Sequence, residues 1–583
     1  MPRFEASYNV YIAAGAALLG GICFGTAIGY TSPALETMVE KTGDNSTNRI
    51  AKKGDESIVG SSVAIGAVFG SIAAGFMSQS AGRQKILVII GVPFAMGCGV
   101  IFIAGSLTLV IIGRLIIGFF TGIISAVSPS YVVEISTPNI RGFLGTGFQV
   151  CVTIGVFLMA LCGIFATISY NYFFNWRYLV LVSAIPAIAM SILMLFVPES
   201  PHWLIAKYGR SSGRPEQALS RLRTSKSDIQ GELDEMDEQI NQTKNLTFTI
   251  DMFKKPEYWK PLVLGITLFV FQQFSGINVM LFFQTQILRN ARGNDDASEE
   301  ESANYASIGT AISTFVRIVA TVCAAFLIDR VGRRKLLLVS GGGHAISLCV
   351  LGFYFYSKGP AKVQANNNAT VTEEFSLPTY IPVLCLVAYM IAFSLGYGPI
   401  PWLMVPEMTP VTARSIIVSI ALTVNWSCVF ITTFTFAPLI GILGSAVVFW
   451  SYSSICVLSC VFVLLFLPET KGKTFDEIQR DLTGKKKEQS TDLISAQPKQ
   501  SPEKTTVHVP PDEQTQETIT DAPPATQQQI SPLGKSTEQT VEPATGQQAS
   551  PLEQNRKQTT VPVIFAEPKE SPGQHPTVSK DDK

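Results

Sequence analysis

The sequence predicts an all-α, multi-pass membrane protein: twelve transmembrane helices in two six-helix pseudo-repeats, followed by a disordered C-terminal tail. Three observations predict it. Up to about Leu467 the chain is a series of apolar runs near the ~20 residues that a helix needs to cross a bilayer. Short motifs of the first half recur in order in the second. Beyond Asp481 the composition turns to Gln, Thr, Pro, Ser and charge with hardly any aromatic residue, too polar to offset the entropy of ordering. The 583 residues balance 44 Lys and Arg against 44 Asp and Glu, so a net charge of zero conceals an apolar body joined to a polar tail.

The expected spans are 9–31, 57–79, 86–105, 107–132, 143–168, 177–197, 260–289, 303–328, 335–357, 380–405, 413–440 and 443–467. The first follows a short polar start and is long enough to remain as a membrane helix rather than a cleaved leader. All ten cysteines fall within the runs, which predicts no disulfide framework. Arg83, Lys85, Arg141, the 198–258 segment and Arg330, Arg333, Arg334 and Lys335 load alternate connections with basic charge, so both termini are expected in the cytoplasm. The sequons at Asn45 and Asn368 then fall on the outside and are expected to be glycosylated, whereas Asn241 and Asn245 are cytoplasmic and unmodified.

Within 198–258, Glu216 to Ile240 can form short charged amphipathic helices on the cytoplasmic face. This segment divides the chain into a first half (1–197), a linker (198–258), a second half (259–480) and a tail (481–583). Internal repetition supports the division: Gly82-Arg83-Gln84-Lys85 recurs as Gly332-Arg333-Arg334-Lys335, Pro198-Glu199-Ser200 as Pro468-Glu469-Thr470, and Glu134 precedes Arg141 as Glu407 precedes Arg414. Paired six-helix halves with a site at their interface are a transporter architecture. In the tail, 524–533 nearly repeats as 543–552, and Ser501, Ser531, Ser550 and Ser571 precede proline as candidate phosphorylation sites.

The most informative stretch is Phe271 to Phe283, FQQFSGINVMLFF. An unpartnered amide in hydrocarbon costs several kcal/mol, roughly, so Gln272, Gln273 and Asn278 should face a bundle interior or a wet cavity. Amides that merely hold helices together are the plainer alternative. In the tenth span, Gly396, Gly398, Pro399 and Pro401 prevent a regular helix beside Trp402, whose indole can cover the apolar face of a sugar ring while amides bind its hydroxyls. Charges gather at the cytoplasmic helix ends, where Arg83, Glu134, Arg141, Asp329, Arg333, Glu407 and Arg414 are expected to form ion-pair networks across the two halves that act as a gate. His202 and His344 are expected at surface helix ends. No metal-ligand cluster, phosphate loop or nucleophile elbow is present, which predicts neither an enzyme nor a cofactor.

PESPHWL (198–204), GRLIIGF (113–119), DRVGRRK (329–335), QQFSGIN (272–278), GPIPW (398–402) and PETKG (468–472) together resemble the sugar porter family of the major facilitator superfamily over about 9–478. The first span, FGTAIGYTSPAL, is similar to that of facilitative glucose and trehalose transporters. The resemblance implies that Gln149, Gln272, Gln273, Asn278 and Trp402 contact sugar. It also implies an inner gate of Arg83, Glu134, Arg141, Glu199, Asp329, Arg333, Arg334, Glu407, Arg414 and Glu469. Proton-coupled relatives carry an acid in the first span; around Thr26 this chain has none, which implies a uniporter.

Five positions depart from the family pattern. Arg317 stands where an amide is usual, Phe282 and Phe283 replace tyrosines, His202 replaces an arginine, and Ser394 stands where many relatives have Glu. Arg317 sits ~18 Å deeper than Asp329 at ~1.5 Å per residue, with no acid in the other spans at comparable depth. It either bonds carbonyls and hydroxyls of the cavity wall, attracts an anionic substrate, or marks a site that no longer carries sugar; a sugar site with an added cationic donor is the reading the retained amides favour. The expected function is facilitative transport of a hexose or trehalose-like disaccharide. A sugar sensor signalling through the tail and a carrier of an anionic solute are the competing readings. The expected partners are the sugar, the bilayer and, as an open expectation, cytoplasmic partners of the tail, with no nucleic acid. The expected site is the plasma membrane.

Overall fold

The computed structural model describes residues 5–39, 50–52, 54–168, 175–224, 227–244, 254–292, 299–358, 378, 380–410, 413–473 and 475–483. The chain divides into two compact units, Met1–Ala496 and Gln497–Lys583. The second, the sequons at Asn45 and Asn368, and the tail serines lie outside the described residues.

The first unit is an all-helical multi-pass membrane body of two six-helix pseudo-repeats. Twelve helices are long and apolar enough to span: Tyr8–Met38, Glu56–Ala81, Arg83–Phe102, Leu107–Ile135, Asn139–Ala166, Trp176–Met194, Pro256–Phe282, Glu301–Ile328, Arg333–Ser357, Ile381–Met408, Ile416–Leu443 and Ser445–Phe466. The first runs some residues past the expected end at 31, turning at Tyr30 into a further helix over Thr31–Met38. Large apolar side chains such as Phe76, Phe196 and Ile442 point outward, as lipid-facing positions require.

The same pairing of helices recurs in the two repeats. The first span packs on the fifth and the seventh on the eleventh; the second on the fourth and the eighth on the tenth; the third on the sixth and the ninth on the twelfth. Between repeats, the second span lies along the eleventh and the fifth along the eighth. Small residues allow the closest crossings: a Cβ on Gly25 would lie 2.1 Å from the Val152 carbonyl oxygen, and one on Gly155 2.4 Å from that of Ile22. The third and ninth spans each begin after a glycine with positive φ, +93° at Gly82 and +101° at Gly332, a backbone region that other residues avoid.

Short helices over Pro201–Tyr208, Arg214–Leu222 and Ile229–Lys244 form the linker. Their shared core is Ile205, Leu219, Leu233 and Met236, and the amphipathic pattern over Glu216 to Ile240 supplies three of those four. Arg223 anchors the linker: it is buried, pairs with Glu232 at 2.6 Å and donates to the Ile135 carbonyl at the end of the fourth span. A last helix, Phe475–Thr483, buries Ile478 and Leu482 and accepts a bond from Lys260 at its Leu482 carbonyl, so ordered helix extends slightly past 481.

Candidate functional site

The seventh span is broken, and the break builds one wall of the site. Helix runs over Pro256–Phe274, resumes over Ile277–Phe282 and again over Gln284–Arg292. The sequence reading took 260–289 as one helix. Gly276, at φ +91° against the Tyr452 ring, permits the first interruption. Freed backbone groups at membrane depth need partners, and the Tyr389 hydroxyl donates to the Ser275 carbonyl at 3.1 Å while the Ser275 hydroxyl donates to that of Gln272 at 2.7 Å. The tenth span breaks as its glycines and prolines predict, between Leu395 and Ile400. Gln272 Nε2 donates to the freed Tyr397 carbonyl and, at 3.4 Å, to that of Gly398, so this amide joins one broken helix to the other.

Both breaks border a cavity of about 50 Å³ between the two repeats. Phe24, Ile28 and Gln149 line it from the first repeat, and Gln272, Gln273, Asn278, Arg317, Trp402, Asn425 and Trp426 from the second. All six residues singled out as substrate-contacting are therefore brought together. The buried amides form a chain: Gln273 donates to Asn425 at 2.6 Å and to Gln272 at 3.3 Å, and Asn278 donates to Gln273. Trp402 packs edge-on against Phe269 at 5.2 Å, and Trp426 against Phe24 at 5.4 Å. Asn425 and Trp426 escaped the sequence reading, although an Asn-Trp pair inside an apolar run is the same signal that marked Asn278.

Arg317 is 3% exposed, with its guanidinium carbon 5.3 Å from the Phe393 ring centre. Its Nε and Nη1 have no acceptor, so its guanidinium is not absorbed by the carbonyls and hydroxyls of the wall. Ser394 and Thr321 instead bond the Arg317 backbone carbonyl, at 3.3 and 2.7 Å. Phe282 and Phe283 are buried, the latter against Phe436.

The charged residues at the linker end form two copies of one motif. Arg83 pairs with Glu134 at 3.0 Å, and Arg333 with Glu407 at 3.1 Å. Ser200 donates to Glu134, and its counterpart Thr470 donates to Glu407 at 2.9 Å. Glu199 accepts from the backbone N–H of Arg83 and Gln84, while Glu469 accepts from those of Arg333 and Arg334. Burial raises the Glu469 carboxyl, but backbone donors from Lys471, Arg333, Arg334 and Thr470 outweigh it and hold the group below the ordinary value. Arg334 also donates to the Val463 carbonyl. Arg414 donates to the Thr409 carbonyl at 3.4 Å, Arg141 lies nearest in charge to Arg223 and Glu232, and the Asp329 side chain is outside the described residues.

This arrangement differs from the expected network across the halves. Among the described residues each ion pair of this set joins helices of the same repeat, because each Gly-Arg turn closes onto the acid of its own half. Among the described residues, the ion pair between repeats lies at the opposite end of the bundle: Glu36 to Arg289 at 2.8 Å, flanked by Ser32 and Thr285, hydroxyl to hydroxyl at 2.8 Å. The histidines are also not surface residues. His202 is half-buried, 3.2 Å from the Glu134 carbonyl, and His344 is fully buried with its ring 4.5 Å from that of Tyr389, since it begins a dozen residues inside its span rather than at the end.

The sequence pattern described as "Sugar (and other) transporter" matches residues 13–482. The facilitated trehalose transporter Tret1 of Drosophila willistoni is 33% identical over 485 residues, 82% of this chain and 52% of that protein. Tret1 of Culex quinquefasciatus is 32% identical over 493 residues, 84% of this chain and 89% of that protein. The chain thus spans about half the length of the Drosophila relatives it matches. In fold it is similar to the major facilitator superfamily proton:xylose symporter XylE bound to 6-bromo-6-deoxy-D-glucose, with TM-score 0.64, 24% identity, and coverage of 81% of this chain and 99% of that one. A partially occluded inward open conformation of XylE from E. coli gives TM-score 0.63 at 24% identity, covering 80% of this chain and 100% of that one. Twelve spans in two repeats, the twin Arg–Glu motifs and a match across the whole helical body converge: this chain belongs to the sugar porter family of the major facilitator superfamily.

Proposed function

We propose that the protein carries a sugar, a hexose or trehalose-like disaccharide, down its gradient by alternating access. The cavity of amides and indoles between the two repeats carries this reading, because amides both donate to and accept from hydroxyls while indoles cover the apolar face of a sugar ring. Relatives named facilitated trehalose transporter support the substrate class. A volume of about 50 Å³ is well below the ~300 Å³ at which ligand pockets begin, so the walls part when substrate enters. The repeats 1–197 and 259–480 then rock against each other about the linker 198–258. At the end opposite the linker, separation breaks Glu36–Arg289 and Ser32–Thr285; at the linker end, each repeat keeps its own Arg–Glu pair and moves as a unit.

The described cavity lining carries no carboxylate to load a proton, which supports uniport. The basic connections support both termini in the cytoplasm, and a carrier admitting a nutrient belongs in the plasma membrane. Counterflow into proteoliposomes tests the reading. Labelled glucose or trehalose should accumulate transiently against unlabelled sugar inside, at a rate unchanged by a pH gradient. Acceleration by an inward proton gradient overturns uniport, and absence of counterflow for every neutral sugar overturns the neutral substrate.

A further inference from the structure

We infer that the cavity is built for a sugar bearing a carboxylate, a hexuronate or aldonate, with Arg317 as the group that selects it. The inference rests on the sugar-transport reading above and narrows its substrate. The buried lining atoms without a protein partner are Arg317 Nε, Arg317 Nη1 and Trp426 Nε1. All three are N–H donors. The amides of the seventh span, by contrast, are occupied with one another, with Asn425 and with the broken tenth helix: Gln272 with Tyr397, Gln273 with Asn425, Asn278 with Gln273, which leaves Gln149 as the amide open to a ligand. Apart from Gln149, which can donate and accept, the unpartnered groups are donors, so what the cavity chiefly needs from a ligand is acceptors.

Charge decides what kind of acceptor. Among the described residues no carboxylate pairs with Arg317; its neighbours are the Phe393 ring, the Tyr389 phenol and Ser394. A neutral sugar hydroxyl can accept one of these bonds, but it leaves the guanidinium uncompensated in a low-dielectric site, where an isolated charge is costly. A carboxylate accepts from the planar guanidinium through two oxygens and cancels the charge. The remaining hydroxyls and the ring of the same molecule keep the contacts that Gln149 and Trp402 offer.

The test uses the full chain reconstituted in proteoliposomes, with counterflow of labelled D-glucose, trehalose, D-glucuronate and L-lactate. D-glucuronate entry that saturates and is faster than that of glucose or trehalose at equal concentration supports the inference. In R317Q the ratio of glucuronate to glucose entry should fall by roughly 30-fold, the scale for removing one partner of a buried charge pair, and R317K should retain more of that ratio than R317Q. The wild-type protein alone is decisive, so a variant that fails to fold does not leave the matter open. Glucose or trehalose entry without glucuronate entry or competition overturns the sugar acid and leaves sugar transport standing. Lactate entering as fast as glucuronate shows that charge alone is recognised and overturns the inference. No entry of any of the four overturns both readings.

Discussion

Glu36 and Arg289 meet at 2.8 Å with the Glu36 side chain only 4% exposed and that of Arg289 26% exposed. Removing either member takes away this contact, so E36A should loosen the contact between repeats by about 1–3 kcal/mol, below the full cost for a wholly buried pair. The expected outcome is faster labelling of S32C by a membrane-impermeant maleimide in the E36A background, with R289A giving the same acceleration and the double variant no more than either. His202 gives a second residue-scale outcome. Burial holds its imidazole below the ordinary 6.5, and the Glu134 carboxylate pulls the other way. A base held neutral in the fold costs stability once the unfolded chain begins to charge, so stability should be intact above 6.5 and fall as pH drops through that value toward the lowered one. Thermal unfolding between about pH 7 and 5.5 should show this slope in the wild type and a flatter one in H202Q.

At the scale of elements, the two Gly-Arg turns are closed by carboxylates that accept from the first backbone N–H groups of a helix. Glu469 accepts from Arg333, Arg334 and Lys471, and E469Q should lower stability by about 1 kcal/mol at neutral pH, the ordinary loss for a helix cap. A carboxyl held below its ordinary 4.5 stabilises above that value and stops doing so as pH falls through the lowered one, so the difference between E469Q and wild type should vanish in acid. Backbone approach at Gly25 and Gly155 sets a stricter limit. A valine at 25 would drive the first span off the fifth, and with it Phe24 and Phe148 off each other; G25V should cost about 1–3 kcal/mol or more, as overpacking does, read as a lower melting temperature in detergent. The span count, the linker helices and the break in the tenth span were legible because length, amphipathic period and proline are local signals. The break in the seventh span was not: it hinges on Gly276 meeting Tyr452, a contact between residues far apart in the chain. The polar lining was legible for the same reason that Asn425 should have been, since an amide in an apolar run has few places to go. The pairing of Glu36 with Arg289 was hidden, because each looks like an ordinary charge at the end of a span.

For the whole molecule, uptake should be independent of the tail: a chain ending after 485 retains every cavity residue and both Arg–Glu motifs, and should match full-length protein in uptake per molecule reconstituted. A large fall would assign the tail a part in the cycle. The distribution of ion pairs has a further consequence. Among the described residues, an ion pair joins the repeats to each other at one end of the bundle, while at the other the ion pairs stiffen each repeat separately. The work of opening the two ends is therefore unequal in kind: one end must pull opposite charges apart, while at the other Arg141 and Arg414, from opposite repeats, repel each other. Ionic strength screens both, weakening an attraction at the first end and a repulsion at the second. Salt on the face of Glu36 and Arg289 should then ease separation of the repeats there, whereas salt on the linker face should ease their approach, so the two faces of a molecule with twofold pseudo-symmetry answer salt in opposite senses.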